Sequence, residues 1–369
     1  MKIFYVAQEP EFSEHTIHLR IRHLYGPDLL CLNDPQVQQI TRIGPIWSRS
    51  PRWPFRLTPI AEFSGRVAAF MKEQSDGVLV VANHEIAIAL LEAGVSFAFD
   101  PTDSSSLFYR RRISAALIGS PHKIANSYRL FLRYQNFERR ILGKVSCFVT
   151  SGRADEAWLR HLNPTACIIR VDNGTELIEL PAVTPRDDGR TVGFHGSMSW
   201  EPNHTAANIL SGQIARNLAA LPGQDIRISI AGRNPHSKIQ KRHGRNGVEI
   251  IGYVDDLGEW LSTLTLYVMP MVLGAGVKNK LIEALAAGVP VLTNERGAES
   301  LPSDCLSAVA IVKSEKEWAR RIRDLLSRPD ELQRLRREAR KCAVMNFNWQ
   351  EHRQKLHDVF KGLRKEGLL

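Results

Sequence analysis

The sequence is poor in cysteine. Its five residues, Cys31, Cys147, Cys167, Cys305 and Cys342, lie far apart and form no C-x-x-C pair. An odd, scattered set speaks against a disulfide framework and against a zinc site, and fits a reducing compartment. In such a compartment the N-x-S/T matches at Asn173 and Asn203 meet no glycosylation enzyme. No apolar run reaches the length of a membrane span; the nearest, 87–99, is interrupted by Glu92. Met1-Lys2 leads straight into Ile3-Phe4-Tyr5-Val6, too short for a secretory apolar core, so a cytoplasmic chain is expected. The sequence also lacks H-E-x-x-H and D-x-D, and no metal is expected. It has no zinc finger and no RNP-type aromatic pattern, which leaves nucleic acid without a reader.

What is present is ordinary for a soluble globular protein: 43% hydrophobic and 24% charged residues over 369 positions. That length suits two α/β cores better than one. The net charge of +10 favours anionic partners, such as nucleotide diphosphates, acidic glycans or lipid headgroups, and equally describes a plain solvated surface.

Short β-branched runs alternate with longer helical stretches. Strands are expected at 2–8, 28–32, 77–83, 95–100, 145–151 and 167–171, and again at 191–196, 226–231, 248–253, 264–269, 289–293 and 308–312. Helical patterns cover 60–74, 127–142, 203–217, 255–261, 278–287, 314–326 and 329–346. Continuous apolar strands alternating with helices predict parallel sheets covered on both faces. Each half reads as its own doubly wound, Rossmann-like sheet, with ligands at the strand carboxyl ends and hence in a cleft between two facing domains. The weakest pattern, 176–190, with Pro181, Pro185 and Gly189, is the expected linker between domains 1–175 and 191–346.

The strongest motif is Gly274-Ala275-Gly276-Val277-Lys278-Asn279-Lys280, directly after a strand ending Val268-Met269-Pro270. A glycine-rich turn that opens a helix presents free N–H groups and the positive helix end to an anion. Lys278 and Lys280 add charge there, or are simply a solvated helix start. Glu283, on an otherwise apolar face, can accept hydrogen bonds from the vicinal hydroxyls of a ribose, or is a buried ion-paired carboxylate. Gly288 and Pro290 read as a helix stop and a strand entry. Asp100 and Asp103 follow the fourth strand; either could orient or deprotonate an acceptor hydroxyl, or merely shape the Asp-Pro-Thr-Asp turn. His84, after Val80-Val81-Ala82-Asn83, sits at another strand end, as a site residue or a satisfied loop histidine. The segment 47–56 mixes tryptophan, phenylalanine and arginine, as a contact with an anionic membrane does and as ordinary surface loops also do. Arg110-Arg111-Arg112 reads as a solvated basic patch. The cluster Arg334, Arg336, Arg337, Arg340 and Lys341 reads as a helix face partnered by Glu331 and Glu338.

At these residues the sequence resembles family four of the glycosyltransferases, which have the GT-B fold. The family's E-A-x-A-x-G-x-P-V pattern matches Glu283, Ala284, Ala286, Gly288, Pro290 and Val291. Segments 192–203, 230–233 and 252–256, Asn173-Gly174 and Phe347-Asn348-Trp349 match in order, so the resemblance is specific over 170–360. It implies that 347–369 is a last helix returning to the N-terminal domain. Segments 99–106 and 133–138 resemble a subgroup that often works on exopolysaccharide or lipid-linked glycans.

The resemblance implies a metal-independent hexosyltransferase without cofactor. Such an enzyme uses a UDP- or GDP-type sugar as co-substrate and a glycan or lipid-linked acceptor, with retention of configuration, at the inner face of the membrane. Glu283 would hold the donor ribose, and Lys278, Lys280 and Arg233 the diphosphate. The backbone of Tyr253-Val254 would contact the base, and Gly196 and Ser197 would line the phosphate side, with Gly274 to Val277 as the turn. Two departures stand out. Ala275 occupies the place of the family's usual sugar-contacting glutamate, and the usual glycine-rich turn after the first strand is replaced by Gln8-Glu9-Pro10-Glu11-Phe12-Ser13. A nucleotide-sugar 2-epimerase of the same layout and a non-catalytic nucleotide-sugar-binding protein fit the same residues.

Overall fold

The computed structural model describes residues 2–6, 20, 23–25, 30–31, 58–73, 77–116, 121–178, 182, 190–223 and 225–369. The segments 8–13 and 47–56, and most of the linker at 176–190, lie outside the described residues. The chain divides into two compact units, Met1–Asn173 with Trp349–Leu369, and Gly174–Asn348.

Among the described residues of the first unit, six parallel strands run β1 (Lys2–Val6), β2 (Leu30–Cys31), β3 (Gly77–Val81), β4 (Ala98–Phe99), β5 (Cys147–Thr150) and β6 (Ile168–Arg170), in the spatial order 2-1-3-4-5-6. Helices α1 (Thr58–Glu73), α2 (His84–Glu92), α3 (Ser105–Ala116), α4 (Pro121–Leu142) and α5 (Arg153–Leu162) connect them. Successive side chains of a strand point to opposite faces. Phe4, Leu79, Val81, Phe99 and Phe148 therefore build one core. Ile3, Val78, Val80, Cys147 and Val149 build the other, against Trp349, Leu356 and Phe360 of the last helix, α14 (Trp349–Lys365). Order reversal around β1 and β3 makes their carboxyl ends the switch point of this unit. Asn83 caps α2 there, its side chain accepting from the N–H groups of Glu85 at 2.9 Å and Ile86 at 3.2 Å.

The second unit contains β7 (Thr191–His195), β8 (Arg227–Ala231), β9 (Val248–Gly252), β10 (Leu266–Met269), β11 (Val291–Asn294) and β12 (Val309–Val312). All are parallel, in the order 12-11-10-7-8-9. This is the doubly wound order, with its switch point between β7 and β10. Both strands are buried along their whole length, as a sheet covered on both faces requires. The helices are α6 (Glu201–Ile209), α7 (Ala215–Ala219), α8 (Ser237–Gln240), α9 (Leu257–Ser262), α10 (Asn279–Ala286), α11 (Glu295–Ala298), α12 (Trp318–Leu326) and α13 (Pro329–Asn346). No helix among the described residues is long and apolar enough to cross a membrane.

Three local features differ from the sequence reading. The helix expected over 203–217 is α6 and α7 joined by a π turn, Leu210–Ile214. A π turn releases a carbonyl from the regular ladder. Here Asn208 O accepts from Arg242 Nη1 at 2.6 Å, and the same nitrogen reaches Ser211 Oγ at 2.9 Å. Arg242→Ala removes both bonds at this part-buried position, and denaturant unfolding is expected to show a loss of about 1–2 kcal/mol.

Second, Cys305 and Cys342 form a disulfide across 37 residues, with Cα atoms 5.3 Å apart. This corrects the expectation of unpaired cysteines. Their wide spacing carries no cue, and only the packing of α13 on the 3-10 segment Ser303–Ala308 brings them together.

Third, Arg340 is not part of a solvated basic face. Its guanidinium donates to the carbonyls of Leu177 (3.0 Å) and Ile178 (2.8 Å), and to that of Ala286 at the carboxyl end of α10. Glu331 serves Arg321 at 2.8 Å and Arg328 at 3.4 Å instead of the α13 arginines.

Candidate active site

The carboxyl ends of β7, β8 and β9 converge on glycine. A Cβ built on Gly232 would lie 2.0 Å from the carbonyl oxygen of Gly196, and Gly232 has φ +142. The N–H of Gly232 donates to Gly252 O at 2.5 Å, and Met198 N–H donates to Arg233 O at 2.9 Å. Backbone therefore packs on backbone where three strands end, leaving main chain rather than side chains to face a ligand. Gly196 itself packs against Asn203, whose Nδ2 donates to Ser197 O at 3.0 Å. Ser197 is exposed and shares a hydrogen bond of 2.8 Å with Ser199. Arg233 is exposed and lies over the ring of half-exposed Tyr253, 4.0 Å from its centroid. This cation–π stack holds a positive charge beside the β9 end. Val254, next along, is partly buried against the core.

After β10 the chain turns through Gly274 (φ +127) and Gly276 (φ +63) into α10. Ala275, between them, and Val277, just after, are partly exposed. Lys278 turns inward: its side chain is 3% exposed, and Nζ bonds Gly276 O at 3.1 Å and Glu299 Oε1 at 2.5 Å. Glu299 also binds Arg296 at 2.8 Å. Lys278 is thereby committed to fixing the glycine turn. Lys280 lies beside Gly196, its Cε 3.3 Å from a Cβ built there. Burial pushes the Lys280 amine down to about 8, with Glu283 opposing the shift and Lys278 adding to it.

Glu283 lies one turn further along α10 and meets the end of β7. His195 Nε2 is 2.8 Å from its Oε2, while the ring packs edge-on to Trp260 and Tyr267. The proton belongs on Nε2, the nitrogen with a carboxylate acceptor. One oxygen of a quarter-exposed carboxylate is thus tied down from behind. The sequence reading assigned no role to His195. The available signal was a histidine as the last residue of a strand, directly before Gly196. The structure brings His195, Gly196, Gly232, Lys280 and Glu283 together at the switch point of the second unit.

The other three sequence candidates belong to the first unit. Asp100 is buried, 3% exposed. It accepts from Tyr25 Oη at 2.5 Å and from Thr102 N–H at 2.9 Å, and lies 3.4 Å from Arg20 Nε. Arg20 in turn binds Val171 O and Asn173 Oδ1, each at 2.7 Å. Asp100 therefore anchors buried structure. Asp103 is partly exposed and accepts from Ser151 Oγ at 2.8 Å. His84 is packed among Phe99, Tyr134 and Phe137, and burial pushes its imidazole down to about 4, so it is neutral at physiological pH. In the basic patch, Arg110 stacks over Trp158 at 4.7 Å and Arg111 is buried.

Next to Asp103 lies an acid that the sequence reading did not single out. Glu138 is buried and accepts from Ser104 Oγ at 3.0 Å, from Ser106 N–H at 3.1 Å and from Ser106 Oγ. Burial raises it to about 7, against the hydrogen bonds from Ser106 and Ser104. A carboxyl raised in the folded state stabilises fully below pH 4.5 and loses that contribution as pH rises through about 7. Between pH 4 and 8 the wild type should lose about 3 kcal/mol relative to Glu138→Gln. Denaturant titrations of both proteins across that range check the slope.

Residues 189–328 match the family model described as glycosyl transferases group 1. Spore coat protein SA of Bacillus subtilis is 34% identical over 82 residues, 21% of this chain and 22% of that protein. The match thus spans only about a fifth of that relative's length. Sucrose-phosphate synthase from Thermosynechococcus elongatus superposes with a TM-score of 0.71 at 14% identity, over 99% of each chain. Anabaena Alr3699/HepE in complex with UDP superposes with a TM-score of 0.67 at 16% identity, over 98% of this chain and 100% of that one. The chain therefore has the GT-B fold of two Rossmann-like α/β units, and within it residues 189–328 are similar to the glycosyl transferases group 1 family.

Proposed function

We propose that the protein is a glycosyltransferase that moves a sugar from a nucleotide diphosphate, of the UDP or GDP type, to a hydroxyl of a glycan or lipid-linked acceptor. The observation that carries this reading is the meeting of Glu283, held by His195, with the glycine-lined strand ends and the start of α10. Glu283 takes the ribose hydroxyls. Gly196, Ser197, Lys280, Arg233 and the positive amino end of α10 take the diphosphate. The backbone at Tyr253 and Val254 takes the base. The complexes of the Anabaena protein with UDP and with UDP-glucose support a uridine donor.

In the reaction an acceptor oxygen bonds to the anomeric carbon as the bond from that carbon to the diphosphate breaks. Lys280 and the helix start stabilise the charge that develops on the leaving group. Asp103, partly exposed, is a better acceptor-side carboxylate than buried Asp100. Retention of configuration follows from the family resemblance. The net charge of +10 supports an anionic acceptor or an anionic membrane surface on the cytoplasmic side.

A cationic amine binds the diphosphate better than a neutral one. Nucleotide affinity should therefore fall as pH rises through about 8, and Lys280→Met should bind weakly with little dependence on pH in that range. Calorimetric titrations from pH 6.5 to 9 check this.

A thermal-shift panel of nucleotide sugars identifies the donor, because a ligand that binds the folded state raises its melting temperature. Following that donor by NMR, alone and with acceptor mixtures, separates the readings. Transfer only with acceptor supports the proposal, conversion without acceptor indicates an epimerase, and binding without turnover indicates a binding protein.

A further inference from the structure

A second pair of cysteines lies in the first unit, on the face of its sheet covered by α14. β5 and the edge strand β6 pair with Phe148 opposite Ile168 and Val149 opposite Ile169. One residue earlier, Cys147 stands opposite Cys167, and Phe148 N–H donates to Cys167 O at 2.8 Å. Residues opposed on parallel strands point to the same face of a sheet, and adjacent strands lie about 4.8 Å apart. That spacing falls inside the range of about 4.4 to 6.8 Å between Cα atoms that a disulfide spans. Both side chains lie in the layer beneath α14.

The two thiols are unequal. Cys147 is fully buried, whereas Cys167 is only partly buried at the sheet edge. The Cys147 thiol hydrogen-bonds the Cys167 sulfur, which lowers Cys167 to about 7, helped by Arg160 and opposed by burial. The same contact and burial push Cys147 up. Arg160 is held at this edge by its bond to Ile168 O at 3.2 Å. A partly exposed, nucleophilic thiolate therefore stands directly opposite a second, buried thiol.

We propose that Cys147 and Cys167 are a peroxide-reactive dithiol, with Cys167 the attacking sulfur and Cys147 the resolving one. The Cys167 thiolate bonds to one oxygen of a hydroperoxide as the O–O bond breaks. The alkoxide or hydroxide leaves with a proton, and Cys167 becomes a sulfenic acid while the peroxide is reduced by two electrons. The Cys147 sulfur then bonds to the Cys167 sulfur, the S–O bond breaks, and water leaves carrying the Cys147 proton. The sum is two thiols and one hydroperoxide giving a disulfide, an alcohol or water, and water. The Cys305–Cys342 pair is already bonded and takes no part.

The test uses the full-length chain treated with hydrogen peroxide, acid-quenched, alkylated, digested without reductant and mapped by mass spectrometry. A cross-linked Cys147–Cys167 peptide, about 2 Da lighter than the sum of its parts and split by reductant, is the expected product. Cys147→Ser should stop at a Cys167 sulfenic acid that a cyclic 1,3-diketone traps, and Cys167→Ser should leave Cys147 unoxidised. The proposal is overturned if wild-type protein returns both residues alkylated at peroxide levels that oxidise free thiols, or if Cys167 oxidises onward with no cross-link. The wild-type measurement decides the matter even if a serine variant folds poorly.

Discussion

Replacing Gly232 by alanine is expected to lower the melting temperature of the second unit by roughly 5–15 °C. The new methyl carbon would start 2.0 Å from the carbonyl oxygen of Gly196, and both partners are main chain. No flexible side chain can yield, so the ends of β7 and β8 must part. An alanine at φ +142 adds backbone strain. Together the two effects cost about 2–5 kcal/mol, and in a unit of this size each kcal/mol moves the midpoint by about 2–4 °C. Gly223→Ala is the control: it has φ +123 but nothing within 4 Å of a built Cβ. Differential scanning calorimetry of the two variants separates the clash from the strain. Surviving folded Gly232→Ala should also bind nucleotide weakly, because the displaced strand end carries Gly196.

The second large effect concerns Glu283. A carboxylate that accepts from both ribose hydroxyls contributes about 1.5–3 kcal/mol. Glu283→Ala should then weaken nucleoside diphosphate binding about ten- to a hundred-fold. His195 acts through Glu283, across a single hydrogen bond of 2.8 Å. His195→Ala should cost less, about three- to ten-fold, by letting the carboxylate swing. Because one residue works through the other, the double variant should bind no worse than Glu283→Ala, and the two losses should not add. Independent, additive losses would mean that His195 touches the nucleotide directly or only supports the fold. Glu283→Gln separates charge from shape, since it keeps the size of the side chain and an acceptor oxygen.

Much of this molecule was legible before its coordinates. All twelve expected strands are present, because a strand buried on both faces must be an unbroken apolar run, and such runs stand out between helical patterns. The strand β4 covers only Ala98–Phe99, so its expected span of 95–100 was too long, while the ends of the span 28–32 lie outside the described residues. The turn at 274–278 and the start of α10 were also legible, since strand, glycine turn and helix are contiguous in sequence.

What could not be read depends on partners far along the chain. His195 and Glu283 are 88 positions apart. Lys278 faces inward because Glu299, 21 positions later, receives it. Asp100 is buried because Arg20 and Tyr25 meet it across the sheet. The π turn needs Arg242, 34 positions beyond the carbonyl it caps. Local pattern locates elements, but ion pairs and caps at such separations appear only once the sheet order is known.

The central claim is that Glu283 receives the pentose of a nucleotide diphosphate. Calorimetric titration of the wild type and of Glu283→Ala with UDP or GDP, whichever binds, and with its 2′,3′-dideoxy form tests it most directly. Loss of both hydroxyls should weaken the wild type about ten- to a hundred-fold and leave Glu283→Ala almost unchanged. Equal affinity of the wild type for the two nucleotides, or an undiminished preference for the hydroxyls in Glu283→Ala, would contradict the assignment.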